Sequence, residues 1–256
     1  MDLSTITPFV LTLDEEPNIR RVLEGLRWAR RVLVVDSGST DRTVEIARAH
    51  PNVEVRTRPF DSFAGQSEYA LSLVETPWAM ALDADYVVPP ELVDEMRALP
   101  AQPVESGFHV PFEYLVLGRK LRGSLYPPRQ VLFRKDLAGF EQDGHAHRVR
   151  VTGPSGWLRT SILHDDRKGL RRWLRNQAAY AEQEAAKLAA SPMRELDWPD
   201  RLRATMVLGP PAVTLYCLFG RGLVLDGRAG LYYTAQRAVA EGILSLKLLG
   251  ARRKRV

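Results

Sequence analysis

The chain has 256 residues, of which 45% are hydrophobic and 26% charged, enough for one sizeable core and too apolar for general disorder. Its one cysteine, Cys217, excludes an intramolecular disulfide, and nothing in the composition demands an oxidising compartment. The net charge of +5 is unevenly spread: residues 1–100 hold 10 Lys and Arg against 17 Asp and Glu, a balance of −7, and residues 101–256 carry +12. An acidic half followed by a basic half suits a divalent metal site joined to an anionic substrate or membrane surface. Ordinary solvated charge on an arginine-rich protein is the simpler account of the composition alone. Met1 to Val10 carries an acid and no base, so it does not read as a signal peptide.

In chain order, Ile6 to Leu13 is a short apolar run closed by Asp14-Glu15-Glu16-Pro17. Ile19, Val22, Leu23 and Leu26 follow at helical spacing, with Pro17 suited to a first turn. Val32 to Val35 reads as a buried strand ending at Asp36, and a Ser-Gly-Ser-Thr-Asp turn opens a helix bearing Val44, Ile46 and Ala47. A third strand is expected at Val53 to Val55, a helix from about Gln66 to Val74, and a fourth strand at Trp78 to Leu82 ending at Asp83. Pro89 and Pro90 start a helix with Leu92, Val93, Met96 and Leu99. Strands alternating with helices predict a parallel sheet covered on both faces. Ligands of such sheets collect outside the carboxyl ends of the strands. Three of these strands end in acid, so neighbouring parallel strands would gather Asp14 to Glu16, Asp36, Asp83 and Asp85 on one rim.

From residue 107 the pattern changes to short strand-like pieces: Gly107 to Phe112, Gln130 to Phe133, Arg148 to Val151 and Ile162 to His164. A long amphipathic helix is expected over about Leu170 to Leu188. Ala204 to Phe219 is free of charge, but its 16 residues are interrupted by Gly209-Pro210-Pro211. A membrane span needs about 20 apolar residues, so it is too short for one. Leu231 to Leu249 is apolar but contains Arg237, Glu241 and Lys247, and Arg252-Arg253-Lys254-Arg255 follow. Apolar helices flanked by bases suit the headgroup region of an anionic leaflet. Packing on the rest of the chain or on a second subunit is the plainer alternative.

Asp83-Ala84-Asp85 places two carboxylates one residue apart after a buried strand, where they can approach one Mg²⁺ or Mn²⁺. Such an ion bridges phosphates and neutralises the charge of a leaving diphosphate. Asp-x-Asp is a weak signal by itself, since acidic pairs are common at helix starts. Asp36 at a strand end can accept from a base N–H or a ribose hydroxyl, and the small residues after it admit close backbone approach. The competing reading is a well-capped strand–turn–helix, which holds for Asp41 in any case.

LTLDEEPNI (Leu11 to Ile19), VLVVDSGSTDRTVEIA (Val32 to Ala47) and MALDADYVVPPEL (Met80 to Leu92) together resemble the family 2 glycosyltransferases with the GT-A fold. The resemblance covers roughly residues 6–170, and the branch it is most similar to includes bacterial lipopolysaccharide-core and exopolysaccharide transferases. It implies an α/β, Rossmann-like, mostly parallel sheet flanked by helices over residues 1–168. A C-terminal helical appendage, membrane-surface or packing in role, follows over residues 169–256. It implies a nucleotide-sugar donor, UDP-hexose by default, a glycan or lipid-linked acceptor, and an inverting reaction at the inner face of the cytoplasmic membrane. Glu15, Asp36, Ser37, Gly38, Asp83 and Arg129 would bind the nucleotide sugar, and Asp85 with His164 would hold the metal.

Three departures stand out. Asp14 replaces the usual Asn, and Gln66-Ser67-Glu68 lacks the basic residue and Asn often found there. An acceptor-side His-Glu is replaced by Gln142-Asp143-Gly144-His145-Ala146-His147. The general base is therefore sought in Asp143, a loop carboxylate that partial burial would tune toward neutral pH, or in His145, which titrates there unaided. The histidines with Asp143 would also permit zinc, but no thiolate and no tight His-x-x-x-His spacing supports it. Arg134 is expected to form a structural ion pair. In His164-Asp165-Asp166-Arg167-Lys168, either His164 is a late metal or diphosphate ligand and Arg167 or Lys168 meets phosphate, or the segment is a polar turn whose acids cap the long helix. A sugar nucleotidyltransferase would need a Gly-rich basic loop near Leu11 to Pro17, and a dehydrogenase Gly-x-Gly-x-x-Gly; neither is present. A GT-A-like binding protein that has lost activity is the non-enzymatic alternative. The basic half has no aromatic-interleaved stripe for nucleic acid.

Overall fold

The structure, a computed structural model, describes residues 1–143 and 146–253. The strands are β1 (Ile6–Thr12), β2 (Val32–Asp36), β3 (Val53–Thr57), β4 (Trp78–Asp83), β5 (Tyr86–Val87), β6 (Gly107–Val110), β7 (Phe112–Val116), β8 (Arg119–Lys120), β9 (Arg129–Arg134), β10 (Ala138–Asp143), β11 (Ala146–Val151), β12 (Ser155–Trp157) and β13 (Ile162–His164). The helices are α1 (Ile19–Glu24), α2 (Thr43–Arg48), α3 (Phe63–Ser72), α4 (Pro90–Ala98), α5 (Leu170–Ala190), α6 (Trp198–Ala204), α7 (Gly209–Leu215) and α8 (Gly227–Arg253). Two compact units result: residues 1–113 with 126–167, and residues 114–125 with 168–256.

The first unit is built on a seven-stranded sheet of order β12-β6-β9-β4-β1-β2-β3. β4, β1, β2 and β3 are mutually parallel, and β9 alone runs against its neighbours. Near-continuous apolar runs such as Val32–Val35 are what a strand covered on both faces requires. Each face has its own core. Val10, Val34, Met80 and Leu82 pack beneath α1, α2 and α4 through Ile19, Val22, Leu23, Leu92 and Met96. Phe9, Leu33, Val35, Ala79 and Phe133 pack beneath α3 and the β10–β11 hairpin. Each fully buried aliphatic side chain contributes about 2 kcal/mol of transfer free energy. The expected β1, β2 and β4 are thus neighbours in one parallel set, and their carboxyl ends share a rim.

Two expectations from the sequence are revised. Asp165 and Asp166 do not cap the long helix, whose N-cap is Gly169 without a side-chain cap; they bind Arg21, Arg167 and Asn18 instead. Arg134 lies over the Trp78 ring at 5.2 Å and donates to the Pro103 carbonyl at 3.0 Å. Folding supplied these three side chains with partners distant in sequence: Arg21 and Asn18 for the two acids, Trp78 and the Pro103 carbonyl for Arg134.

The second unit holds α5 to α8, β8 and the part of β7 from Tyr114. Ala181, Ala185 and Leu188 of α5 pack with Leu196, Ala204, Leu244 and Leu248. A second cluster joins Leu121, Cys217, Leu223, Ala229 and Tyr233. Arg203 is held between Glu241 at 2.9 Å and Asp200 at 3.1 Å, and buried Asp226 accepts from the Arg122 N–H. Among the described residues, no helix is long and apolar enough to cross a membrane.

Candidate active site at the carboxyl rim of the sheet

Two loops leave the rim beside each other, residues 12–18 after β1 and 36–43 after β2. Gly38 takes a φ of +97°, a conformation that L side chains disfavour. The turn it permits wraps Asp36: Oδ2 accepts from the Gly38 and Ser39 N–H groups, both at 2.9 Å, and Oδ1 accepts from Thr12 Oγ1 at 3.0 Å. Asp36 is 1% exposed, so its carboxylate organises the turn. Ser37 ties the loops together, its N–H donating to the Thr12 carbonyl at 2.9 Å. Asp14 sits at φ 52° and accepts from the Thr40 N–H at 2.7 Å; Asp and Asn are the non-glycine residues best suited to that region. Asp41 accepts from the Thr43 N–H at 3.0 Å.

Asn18 is a hub that the sequence reading missed. It is fully buried, and Nδ2 donates to Glu15 at 2.9 Å and Asp166 at 3.1 Å. Its Oδ1 accepts from Arg21 at 3.1 Å and from the Arg167 N–H at 2.9 Å. Glu15 is consequently turned toward Asn18. The lone signal for this role was an Asn at the head of an apolar helix, which reads equally as a cap. Gln66 of α3 is also buried, and its Nε2 reaches Ser37 Oγ at 3.2 Å and the carbonyls of Arg58 and Pro59 at 2.9 and 3.1 Å. The segment that departs from the family pattern therefore braces the Asp36 loop from the other face of the sheet.

Asp83 ends β4, level with Leu11 of β1, while Asp36 is level with Thr12 on the far side of that strand. Two strand spacings, about 10 Å, separate them, so they share the rim without forming one cluster. Asp85 is drawn together with His164: β13 pairs antiparallel with β5, setting His164 opposite Tyr86. Asp85 Oδ2 then lies 3.3 Å from His164 Nε2. Burial alone pulls the imidazole downward, but the charge and hydrogen bond of Asp85, with Asp83 and Asp166 behind them, raise it above its ordinary value. The histidine ring stands edge-on to Tyr86 and Tyr126 at 5.2 and 5.4 Å. The two tyrosine hydroxyls hydrogen-bond to each other. Burial first, then the negative charge of Asp83, pushes both phenols up. Arg129 lies over the Tyr126 ring at 4.8 Å. Asp83, Asp85, His164 and Arg129 are thus assembled around an aromatic wall that no motif announced.

The donor set fits a hard or borderline divalent cation. Asp85 offers carboxylate oxygen and His164 imidazole nitrogen, and the remaining positions would fall to phosphate and water, the usual arrangement for Mg²⁺ and Mn²⁺. Among the described residues, no group of three or more His, Cys, Asp or Glu side chains forms a ready metal cage. Asp143 closes β10, a strand seated on α3 through the Glu68 carboxylate and the Phe140 N–H at 2.5 Å. His145 lies outside the described residues.

Parallel sheets of this kind collect their ligands outside the carboxyl ends of the strands, where these acids and the Asp–His pair lie. Residues 8–115 match the family described as Glycosyl transferase family 2. The lipopolysaccharide core biosynthesis glycosyltransferase LpsC of Rhizobium meliloti is 30% identical over 84 residues, 31% of each chain. An uncharacterized glycosyltransferase of Rickettsia felis is 35% identical over 96 residues, 37% of this chain and 34% of that one. These matches span about a third of the relatives' length. The crystal structure of S. aureus TarS 1–349 in complex with UDP superposes with a TM-score of 0.50 at 12% identity, covering 97% of this chain and 91% of that one. That likeness is one of fold.

Proposed function

We propose that this protein transfers a sugar, with inversion, from a nucleoside diphosphate donor to a hydroxyl of a glycan or lipid-linked acceptor in cell-envelope polysaccharide synthesis. The observation that carries the reading is the gathering of Asp83, Asp85, His164 and Arg129 at the carboxyl rim of a family 2 sheet. The similarity to LpsC supports the envelope role, and UDP, the nucleotide in the TarS crystal, is the default nucleotide for the donor.

In this reading the Asp36 turn, with Glu15, Ser37 and Gly38, forms the nucleoside wall. Asp83 faces the ribose or diphosphate, and Arg129 meets phosphate. Asp85 and His164 would hold Mg²⁺ or Mn²⁺, which when bound supplies positive charge to the diphosphate. The acceptor hydroxyl gives its proton to a general base, for which Asp143 is the first candidate and His145 the second. Its oxygen then bonds to the anomeric carbon as the carbon–oxygen bond to phosphate breaks. The electron pair leaves with the nucleoside diphosphate, and the configuration at that carbon inverts.

The second unit supports attachment to the inner face of an anionic membrane. Val207, Leu208, Leu215, Tyr216, Phe219, Val224 and Leu225 are all exposed, Val207 by 73% and Phe219 by 67%. They occupy a single stretch that contains Arg221 and is flanked by Arg201 and Arg228. Clustered aliphatic and aromatic side chains with bases beside them match a headgroup-level segment.

The test of the enzymatic reading is a thermal-shift screen of nucleotide sugars with Mn²⁺, followed by assay of released nucleotide. One donor should raise the melting temperature and be slowly hydrolysed, and chelator should abolish both effects. Failure of every nucleotide sugar to stabilise the protein, or undiminished turnover in chelator, overturns it.

A further inference from the structure

Beyond the donor rim, one face of the outer strands carries side chains that the core does not use. In β6, Phe108 and Val110 enter the core beneath α1 and α4, which turns His109 to the opposite face. In β12, a Cβ on Gly156 would meet the Phe108 ring at 2.7 Å, so Ser155 and Trp157 share the face of His109. The register between β6 and β9 is irregular between Phe108 and His109, which sets His109 opposite Gln130. Bulges of this kind re-aim side chains near functional sites. A Cβ on Gly107 would meet Gln130 Nε2 at 2.5 Å. With no side chain there, Gln130 crosses β6 and donates to Ser155 Oγ at 2.8 Å.

The result is a shelf of Gln130, Ser155, His109 and Trp157. The indole lies nearly flat on the imidazole, ring centroids 4.7 Å apart and planes 23° from parallel, yet Trp157 remains 64% exposed. His109 Nδ1 is buried and meets no hydrogen-bond partner among the described residues, so stacking holds this ring where a polar strut is missing. A large aromatic on an edge strand, open to water, gains little stability from its position. It does present a flat apolar face of the kind that the C–H face of a pyranose ring covers. The amide and hydroxyl beside it suit the sugar's equatorial hydroxyls.

The shelf faces the same rim as the donor site. β12 is parallel to β6, while β6 and β4 both run against β9. The carboxyl ends carrying Trp157, His109 and Asp83 therefore point the same way. Three strand spacings, roughly 14 Å, separate β12 from β4. An oligosaccharide bridges that distance and a single sugar does not.

We propose that the Trp157–His109 stack with Gln130 and Ser155 is an acceptor subsite that binds a sugar ring remote from the one being glycosylated. This rests on the glycosyltransferase reading for the reaction it would serve, but its test does not require transfer. The full chain is titrated, without donor, with maltotriose, cellotriose, chitotriose and core oligosaccharide released from lipopolysaccharide, and saturation-transfer difference NMR reads contact. UDP binding with Mn²⁺ is measured in parallel by calorimetry. At least one oligosaccharide should bind, about tenfold more weakly to Trp157→Ala, with Trp157→Phe retaining most of the affinity and UDP binding unchanged. Ser155→Ala, which leaves the stack intact, should weaken binding by a smaller factor. Absence of signal from every oligosaccharide, or equal binding by wild type and Trp157→Ala, overturns the subsite. So does reduced self-association of Trp157→Ala with unaltered glycan contact, which would make the shelf a contact between copies. UDP binding in either of those cases leaves the donor reading standing, and its loss with the shelf still binding sugar strikes the donor reading alone.

Discussion

The two units expose opposite kinds of surface. In the first, most apolar side chains are consumed by the two faces of the sheet, Trp157 being a marked exception, and polar side chains gather where strands end. In the second, helices pack through narrow contacts of alanine and leucine and leave large residues outside, among them Val207, Leu215, Phe219, Leu225, Leu231 and Leu246. A parallel sheet forces its loops to one edge and so concentrates function there. A small helical unit with so much apolar surface in water is short of a partner. The proposed chemistry rests on the polar convergence and the proposed docking on the apolar exposure.

The sharpest way to break that contrast is at Asp85. Asp85→Asn should reduce transfer by about a thousandfold or more, with an unchanged melting temperature showing that the fold survives. Full activity in that variant would remove the metal role. The second unit is tested by sedimentation with vesicles containing phosphatidylglycerol. Leu215→Glu with Phe219→Glu should weaken association by about tenfold to a hundredfold while leaving soluble-donor hydrolysis intact. Partitioning equal to that of the parent protein would end the membrane reading.

Smaller effects sharpen the account of the first unit. Asn18→Ala removes one hydrogen bond each from Glu15, Asp166 and Arg21 at once, and should cost about 2 kcal/mol of stability by thermal or urea unfolding. A melting temperature within error of the parent would show that the hub is dispensable. The smallest effect concerns Glu95, which accepts from the Arg159 and Thr160 N–H groups at 2.7 and 2.9 Å. Burial pushes its carboxyl up, but these hydrogen bonds outweigh burial and lower it below the ordinary 4.5. Since the folded value lies below the unfolded one, the contribution is complete above pH 4.5 and disappears as pH falls through the folded value. Glu95→Gln should therefore cost about 1 kcal/mol near neutrality and less in acid, read from unfolding curves at several pH values. A cost that grows toward acid would contradict this.

Much of the first unit was legible in the chain because its strands are unbroken apolar runs and its helices place apolar residues at regular spacing. The order of acids after β1, β2 and β4 followed from those runs. The hairpin β7–β8 and strands β10 and β12 were not legible. They are short, and polar residues in them face water or other elements, so no periodicity separates them from loops.

By itself the sequence determined the parallel sheet and the acidic strand ends, since each depends on local order along the chain. Tertiary structure decided the rest. It turned Asp36 into the core of a turn, brought His164 to Asp85 across 78 intervening positions, made Asn18 a hub and laid Trp157 on His109. These pairings depend on which strands become neighbours and which faces their side chains take, and a single chain's order does not encode either until the sheet has formed.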